Sequence, residues 1–204
     1  MRQLPEKRQT ILFSATVSSD IQRMAKKYMK DPQTIVTETH VDKGKLTHEY
    51  YDLDQKADQK FALLVHLLKE QKPSLAIIFA GTRRNVSKVE KALNANGVEA
   101  QSIHGGLSQS QRKRTLEHFH QGKFHIMVAS DVAARGIDVK NISHIFNYDI
   151  PRTPSEYIHR SGRTARAGEE GKIISLLSPN DYAYFRSIIR DPSHTIEPIP
   201  LPEF

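Results

Sequence analysis

Residues 75–103 read LAIIFAGTRRNVSKVEKALNANGVEAQSI, and this stretch decides the fold. Residues 75–79 form a short continuous apolar run, which is typical of a strand buried on both faces of a parallel sheet. From Arg83 to Ala95 the apolar residues recur at helical spacing, and Asn96-Gly97 predicts where that helix ends. A second strand is expected at 98–103. The stretch therefore predicts a strand–helix–strand unit whose two strands run parallel.

The same alternation of strand and helix patterns continues along the chain. Ser108 and Gln111 have the spacing of a capping box, which predicts that a helix opens there and runs through Phe119. Further apolar runs predict three more strands, at 126–129, 142–147 and 173–177. Strands separated by single helices imply right-handed crossovers, so we expect an α/β fold on a mostly parallel sheet.

Polar and small residues directly follow three of the predicted strands. Thr82, His104 and Ser130 each come within three residues of a strand's end. In parallel α/β sheets, ligands gather at the carboxyl ends of the strands. We therefore expect a binding site at that edge of the sheet.

Composition narrows the class of protein. The chain has 204 residues, which suggests one domain or one domain plus a fragment. It has no cysteine, so disulfides and thiolate metal sites are excluded. Neither a signal peptide nor a membrane-spanning stretch is visible, and a cytoplasmic location is the default expectation.

The charge of the chain is concentrated in its middle. The formal net charge is +7, and residues 79–168 carry 14 Lys and Arg against 7 Asp and Glu, which accounts for the whole excess. A basic stripe confined to one region favours phosphate-bearing partners. A basic protein with no particular partner is the alternative.

Two clusters of polar residues indicate a phosphate site. Residues 159–168 read HRSGRTARAG, and residues 130–138 read SDVAARGID. A spacing of three would put Arg163 and Arg166 on one side of a helical turn. Two guanidinium forks directed at one point suit a polyphosphate. The alternative for the first cluster alone is a solvated basic loop.

Together these clusters resemble motifs of the DEAD-box RNA helicases. Other stretches resemble motifs of that family in the family's order: Ser14-Ala15-Thr16, Ile77–Thr82, His104-Gly105-Gly106 and Gln109–Arg112. The resemblance runs from about residue 4 to about residue 190. It implies a RecA-like three-layer α/β/α fold and an ATP-dependent, RNA-remodelling enzyme.

The resemblance also assigns roles to individual residues. Arg163 and Arg166 correspond to arginine fingers that contact the γ-phosphate of ATP, and Asp138 to a carboxylate on the ribose. Residues that would couple the two helicase domains are Ser14, Thr16, His159 and Arg160. Residues that would bind the RNA backbone without reading base sequence are Thr82, Gly105, Gly106, Gln109, Arg112, Ser130 and Gly136.

Some positions depart from the family pattern or allow two interpretations. The family usually has Thr where this chain has Ser130, and more often has Gly where it has Ala165. Both replacements are expected to be tolerated. The basic pairs at 83–84 and 112–114 either extend the RNA path or form a solvated helix face.

Residues 1–204 contain neither a phosphate loop nor an Asp-Glu-Ala-Asp quartet. We therefore expect ATP and Mg²⁺ to be bound mainly by a missing first domain, with no metal held by this fragment. The fragment alone is expected to be inactive. In this interpretation Met1 is an internal point of a longer protein.

The expected domains are a remnant of the first domain at 1–36, a linker at 37–45 and the second RecA-like domain at 46–204. Within the remnant, Thr10–Phe13 is expected as a buried strand and Asp20–Met29 as a helix. A strand cut off from its sheet seeks a partner, so residues 1–36 are expected to favour self-association.

Two other classes of function stay open. The first is a free-standing RNA- or protein-binding module, which the absent phosphate loop favours and the retained Arg163, Arg166 and Asp138 disfavour. The second is a DNA helicase or translocase of the same superfamily. The form of the two clusters at 130–138 and 159–168 favours the RNA-acting branch.

Overall fold

The computed structural model describes residue 5, residues 7–14, 19–35, 45–134, 139, 141–165, 169–192 and 194–203. The chain divides into two compact units, Met1–His40 and Val41–Phe204. The division falls within the stretch 37–45 that the sequence predicts as a linker. The assignment of the parts as domains stays a prediction.

The first unit contains the helix that the sequence predicts but lacks the predicted strand. Helix α1 spans Ser19–Tyr28 and buries none of its residues. The prediction of a buried strand at Thr10–Phe13 is wrong: these residues are not in a strand, and Phe13 is 91% exposed. A strand exists only by pairing, and the described residues of this unit contain no second strand.

The second unit is built on one sheet. Among the described residues, seven strands pair in the order β3-β4-β2-β5-β6-β1-β7, and all of them are parallel. They are β1 (Leu46–Asp52), β2 (Ala76–Phe79), β3 (Ala100–Ile103), β4 (Ile126–Ala129), β5 (His144–Asn147), β6 (Gly171–Leu177) and β7 (Glu197–Pro198). The predicted α/β class with a mostly parallel sheet is confirmed.

Helices connect the strands. They are α2 (Lys60–Gln71), α3 (Arg83–Ala95), α4 (Gln109–His120), α5 (Asp131–Ala134), α6 (Pro154–Ser161) and α7 (Tyr182–Ile189). Two short 3₁₀ helices span Asp54–Gln59 and Pro179–Asp181. The predicted helix at 83–95 is confirmed, with Gly97 at φ +75° just beyond its end.

Two hydrophobic clusters cover the two faces of the sheet. Along β2, Ile77 and Phe79 belong to the cluster under α4, α6 and α7, whereas Ala76 and Ile78 belong to the one under α2 and α3. This alternation is the period of two that a strand imposes, with both faces buried. The result is a three-layer α/β/α arrangement, as expected.

Candidate functional site

The loops after β2, β3, β4 and β5 meet at one edge, because these neighbouring strands are parallel and their carboxyl ends lie together. Thr82 follows β2, Gly105 and Gly106 follow β3, and Ser130 follows β4. Gathering of these residues at the carboxyl edge is what the sequence predicts.

Arg160 lies at the centre of this edge, in a buried polar network. Its Nε and Nη2 donate to Oδ1 and Oδ2 of Asp131 at 2.6 and 2.8 Å. Its Nη1 donates to Asn147 Oδ1 at 2.8 Å and to the carbonyl of Asp149 at 2.7 Å. The guanidinium also lies 4.7 Å from the ring centroid of Phe79. Arg160 is only 3% exposed, so its charge is satisfied from within its own unit.

The network continues through the sheet. Asn147 Nδ2 donates to Ser175 Oγ at 3.1 Å. Ser175 in turn shares a hydrogen bond with the Tyr157 hydroxyl, which lies 2.8 Å from His48 Nδ1. Burial raises the pKa of Tyr157, and the hydrogen bond from Ser175 opposes that rise only in part. A chain of polar groups therefore runs from Asn147 through Ser175 and Tyr157 to His48, and it fixes the orientation of the Asn147 side chain.

A small pocket opens beside Arg160. Its walls are Phe79, Asp131, Ala134, Glu156, His159, Arg160 and Arg163. Both carboxylates of the wall are already engaged: Asp131 pairs with Arg160, and Glu156 Oε2 accepts from the backbone N–H of Arg152 at 2.9 Å. The guanidinium of Arg163 and the ring of His159 remain as polar groups that suit an anion.

The prediction that Arg163 and Arg166 share a side of one helical turn is wrong. Helix α6 ends at Ser161, and Arg163 lies in the turn that follows. Arg163 Nε donates to the carbonyl of His159 at 3.3 Å. Ala165 has φ +51°, a left-handed conformation that a continuing helix does not allow. Arg166 itself lies outside the described residues.

The loop at 81–82 is fixed by an acidic residue from another strand. Thr82 is the N-cap of α3, and its hydroxyl accepts from the Asn85 N–H at 3.1 Å. Asp149, after β5, accepts from the Gly81 N–H at 2.6 Å and from Asn85 Nδ2 at 2.5 Å. A side chain at Gly81 would sit against Asp149. The predicted RNA-facing Thr82 is thus held by Asp149 and Asn85.

The turn at 105–106 is tightly packed on one side only. The Gly106 N–H donates to His104 Nδ1 at 3.1 Å, and His104 Nε2 lies 3.4 Å from Ser87 Oγ. A Cβ on Gly106 would collide with the Arg83 guanidinium, whereas Gly105 has open space within 4 Å. Because Arg83 is exposed and its guanidinium ends a flexible side chain, it could move aside to admit a small side chain at position 106.

Helix α4 opens as the sequence predicts. Ser108 and Gln111 form a complete capping box, with Ser108 Oγ accepting from the Gln111 N–H at 3.2 Å. Gln109 is exposed at the first helical position, whereas Arg112 is half-buried. Arg112 Nη2 donates to the carbonyl of Ala133 at 3.2 Å. Arg112 therefore braces α4 against α5 as well as lying near the edge.

The other basic side chains at 83–84 and 112–114 are exposed, which is compatible with both interpretations given above. They are Arg83, Arg84, Lys113 and Arg114. Ser130 is 7% exposed at the end of β4. Ser14 is exposed and belongs to the first unit. Three predicted site residues besides Arg166 lie outside the described residues: Thr16, Gly136 and Asp138.

Sequence reasoning gave no role to four residues of this edge: Asn85, Asp131, Asn147 and Asp149. A signal for two of them was present. Asn147 ends β5 and Asp149 follows it, so the rule that located Thr82, His104 and Ser130 also applied to this strand. Asp149 also acts on a neighbour, since burial and then its negative charge raise the pKa of Tyr148.

The described residues contain neither a candidate metal site nor a candidate membrane-spanning helix. Among them, no group of three or more His, Asp or Glu side chains is placed to hold a metal ion. Within the same residues, no helix is long and apolar enough to cross a membrane.

A parallel sheet with helices on both faces, and with arginine, histidine and glycine turns at its carboxyl edge, defines the RecA-like class of domain. Comparison with known proteins agrees. Residues 59–168 match the family described as the helicase conserved C-terminal domain. The chain belongs to the DEAD-box ATP-dependent RNA helicase family and carries its C-terminal domain.

Among sequence relatives, the CshA helicase of Listeria monocytogenes is 38% identical over 202 residues, which cover 99% of this chain and 39% of that protein. The CshA helicase of Geobacillus kaustophilus is 39% identical over 194 residues, covering 95% of this chain and 41% of that protein. The chain thus spans about two fifths of the length of these relatives.

Solved structures show the same similarity. Escherichia coli SrmB, bound to regulator of ribonuclease activity A, has a TM-score of 0.71 and 37% identity, covering 76% of this chain and 91% of that one. Saccharomyces cerevisiae Dbp5, bound to RNA and ADP BeF3, has a TM-score of 0.88 and 30% identity, covering 98% of this chain and 53% of that one. The expected RecA-like fold is confirmed.

Proposed function

We propose that this chain is the C-terminal half of an ATP-dependent RNA helicase that remodels RNA duplexes. The observation that carries the proposal is the shared carboxyl edge, where the Arg163 pocket lies beside the loops of Thr82, Gly106 and Ser130. The similarity to Dbp5 in complex with RNA and ADP BeF3 supports it. In this proposal residues 46–204 form the second RecA-like domain, 37–45 the linker and 1–36 the end of the first.

On the nucleotide side, Arg163 and Arg166 act as arginine fingers and Asp138 holds the ribose. Support for this role comes from the pocket, because its Asp131 carboxylate is paired with Arg160 and Arg163 adds positive charge. A fixed guanidinium stabilises the charge that builds on the transferring phosphoryl group, an effect of roughly 10³-fold or more in rate. Mg²⁺ supplies charge neutralisation when bound. We assign it and the phosphate cradle to the first half of the protein.

On the RNA side, the contacts are to the sugar-phosphate backbone. The proposed contact residues are Thr82, Gly105, Gly106, Gln109, Arg112, Ser130 and Gly136. Glycine turns and a capped helix start let backbone N–H groups approach phosphate oxygens closely. Such contacts carry no base information, so binding would be indifferent to sequence and sensitive to salt.

Coupling between the halves is assigned to Ser14, Thr16, His159 and Arg160. The internal bonds of Arg160 support an indirect role, in which it sets the position of its neighbour His159 and of Arg163. Closure of the two halves would then bring His159 against the first domain.

The test is Arg163→Ala in a full-length enzyme that carries this chain. We expect RNA-stimulated turnover to fall by roughly 10³-fold, with ATP affinity changed far less, because a finger acts on the transition state. Arg190→Ala, on an exposed arginine after α7, is the matched control and should leave turnover unchanged. Equal losses in affinity and rate would make Arg163 a ground-state ligand. Absence of ATP turnover in the wild-type protein would favour a binding module.

A further inference from the structure

Asp149 joins two parts of the carboxyl edge that the motifs treat separately. Its carboxylate accepts from the Gly81 N–H at 2.6 Å and from Asn85 Nδ2 at 2.5 Å. Its carbonyl accepts from Arg160 Nη1 at 2.7 Å, and its N–H donates to the carbonyl of Phe79 at 3.0 Å. The N–H, the carbonyl and Oδ2 of Asp149 thus each hold a neighbouring strand end or helix.

The bonds of Asp149 fix the geometry of the loop that carries Thr82. Gly81 is exposed, so its N–H would face water if Asp149 did not accept it. Asn85 donates its backbone N–H to Thr82 Oγ1 and its side chain to Asp149, which fixes the start of α3. Carboxylate acceptors make stronger hydrogen bonds than neutral ones, so this loop is held firmly.

Arg160 connects this loop to the pocket. It bonds the Asp149 carbonyl with Nη1 and Asp131 with Nε and Nη2, and it lies on α6 next to the pocket residue His159. Asp131 directly follows Ser130. The buried guanidinium of Arg160 therefore connects the proposed RNA-facing loops to the proposed nucleotide-facing turn at Arg163.

The geometry points to Asp149 as a positioning residue for the RNA-facing loop, linked through Arg160 to the turn that carries Arg163. The expected effect on RNA affinity rests on the proposed function, whereas the hydrogen-bonded link from Asp149 to Arg160 does not. Asp149 accepts from the Gly81 N–H and, through Asn85, fixes the Thr82 hydroxyl at the start of α3. Arg160 makes the loop and the turn one rigid assembly.

Charge alone predicts the opposite change in RNA affinity, so the experiment separates the two explanations. Asp149→Asn removes a negative charge from a basic protein and would, by electrostatics, strengthen RNA binding. Positioning predicts weaker binding, because a neutral amide cannot accept from both Gly81 and Asn85 with the strength of a carboxylate. Asp58→Asn, on an exposed residue of the 3₁₀ helix after β1, which lies two strands away from β5 in the sheet, removes the same charge from outside the network.

Two readouts decide the inference. The first is hydrogen exchange at the Gly81 amide in the 204-residue chain, which Asp149→Asn should accelerate by about tenfold and Arg160→Lys should also accelerate. The second is the affinity of a full-length enzyme carrying this chain for a fluorescent single-stranded RNA. Asp149→Asn should weaken it by about fivefold to tenfold, whereas Asp58→Asn should not.

The outcomes separate this inference from the proposed function. Gly81 exchange unchanged in both Asp149→Asn and Arg160→Lys overturns the link, whatever the enzyme does. RNA affinity of Asp149→Asn equal to or above that of Asp58→Asn overturns positioning. Failure of the wild-type enzyme to bind RNA refutes the proposed function instead, and the exchange measurement still decides the link.

Discussion

Arg160 and Arg163 lie three residues apart, yet their guanidinium groups have different surroundings. Arg160 is buried and bonded to Asp131, Asn147 and Asp149, so removing a partner would leave a buried charge at a cost of roughly 3–5 kcal/mol. Arg163 borders a pocket and bonds the His159 carbonyl. Arg160 therefore holds the shape of the edge, whereas Arg163 forms part of the wall of a pocket.

The turn after Arg163 is itself held by a close approach of two backbones. A Cβ at Gly171, the first residue of β6, would lie 2.8 Å from the backbone nitrogen of Ala165 and would collide with the hydroxyl of Thr164. That hydroxyl donates to the carbonyl of Ile142, so it has little freedom to move away. The spacing between β6 and the turn at 164–165 therefore depends on glycine.

We expect Gly171→Ala to lower the free energy of unfolding by about 1–3 kcal/mol, because overpacking forces the turn or the strand to shift. Urea denaturation of the 204-residue chain measures it. Gly105→Ala is the matched control, since nothing lies within 4 Å of its added Cβ, and it should change stability by less than about 0.5 kcal/mol. Equal effects from the two substitutions would contradict the assigned close approach.

At the scale of elements, helix α4 depends on its capping box. Ser108 accepts from the Gln111 N–H, and the Gln111 side chain accepts from the Ser108 N–H. We expect Ser108→Ala to lower the free energy of unfolding by about 1 kcal/mol. The Gln111 N–H loses its side-chain acceptor, and the capping box is broken. Ser108→Thr keeps an acceptor and should cost clearly less. Chemical denaturation checks both, and equal losses would show that the cap adds little to stability.

Sequence periodicity predicted those elements whose burial is visible in their own residues. The strands β2 and β4 are continuous apolar runs, and the capping box of α4 lies within four residues. The strand β1 was not assigned, because it reads LTHEYYD and carries the buried polar pair His48 and Glu49. Their partners are distant: Tyr157 lies 109 residues from His48, and Lys172 contacts Glu49 at 3.0 Å.

The same limit applies to the site. The motifs located the edge and its loops, but they do not contain Asn85, Asn147 or Asp149, whose roles come from pairing across strands. The helical arrangement expected for Arg163 and Arg166 failed because Ala165 adopts a left-handed conformation. Spacing along a sequence describes a helix only while the backbone remains helical.

For the whole molecule, three histidines tie stability to pH. Burial, and then the charge of His194, lowers the pKa of His48 to about 4. Burial also lowers the pKa of His144 and of His194. These rings stay neutral in the fold, whereas in the unfolded chain they take up protons near pH 6.5. The unfolded state therefore binds more protons below that pH, and stability falls as the pH decreases.

We expect the free energy of unfolding to be full above about pH 7 and to decline between pH 6.5 and 4, with about 2 kcal/mol lost to His48 alone at pH 5. Urea denaturation across this range measures the slope. His48→Gln should flatten the slope, whereas His120→Gln, on an exposed ring at the end of α4, should leave it. A slope unchanged by His48→Gln would remove that residue from the effect.

The first unit supplies the last prediction. Its apolar side chains are exposed, with Ile11 at 64%, Phe13 at 91% and Ile35 at 86%, and α1 buries none of its residues. The residues of both hydrophobic clusters lie between 46 and 201. Deleting residues 1–36 should therefore change the free energy of unfolding of the remainder by less than about 1 kcal/mol and should reduce self-association. Thermal unfolding and sedimentation of the shortened chain measure both.

In the uncut chain, Ile11→Ser with Phe13→Ser should reduce association to the same extent if exposed apolar surface drives it. A loss of several kcal/mol on deletion, on the scale of a domain's ~5–15 kcal/mol, would make residues 1–36 part of the second domain's fold.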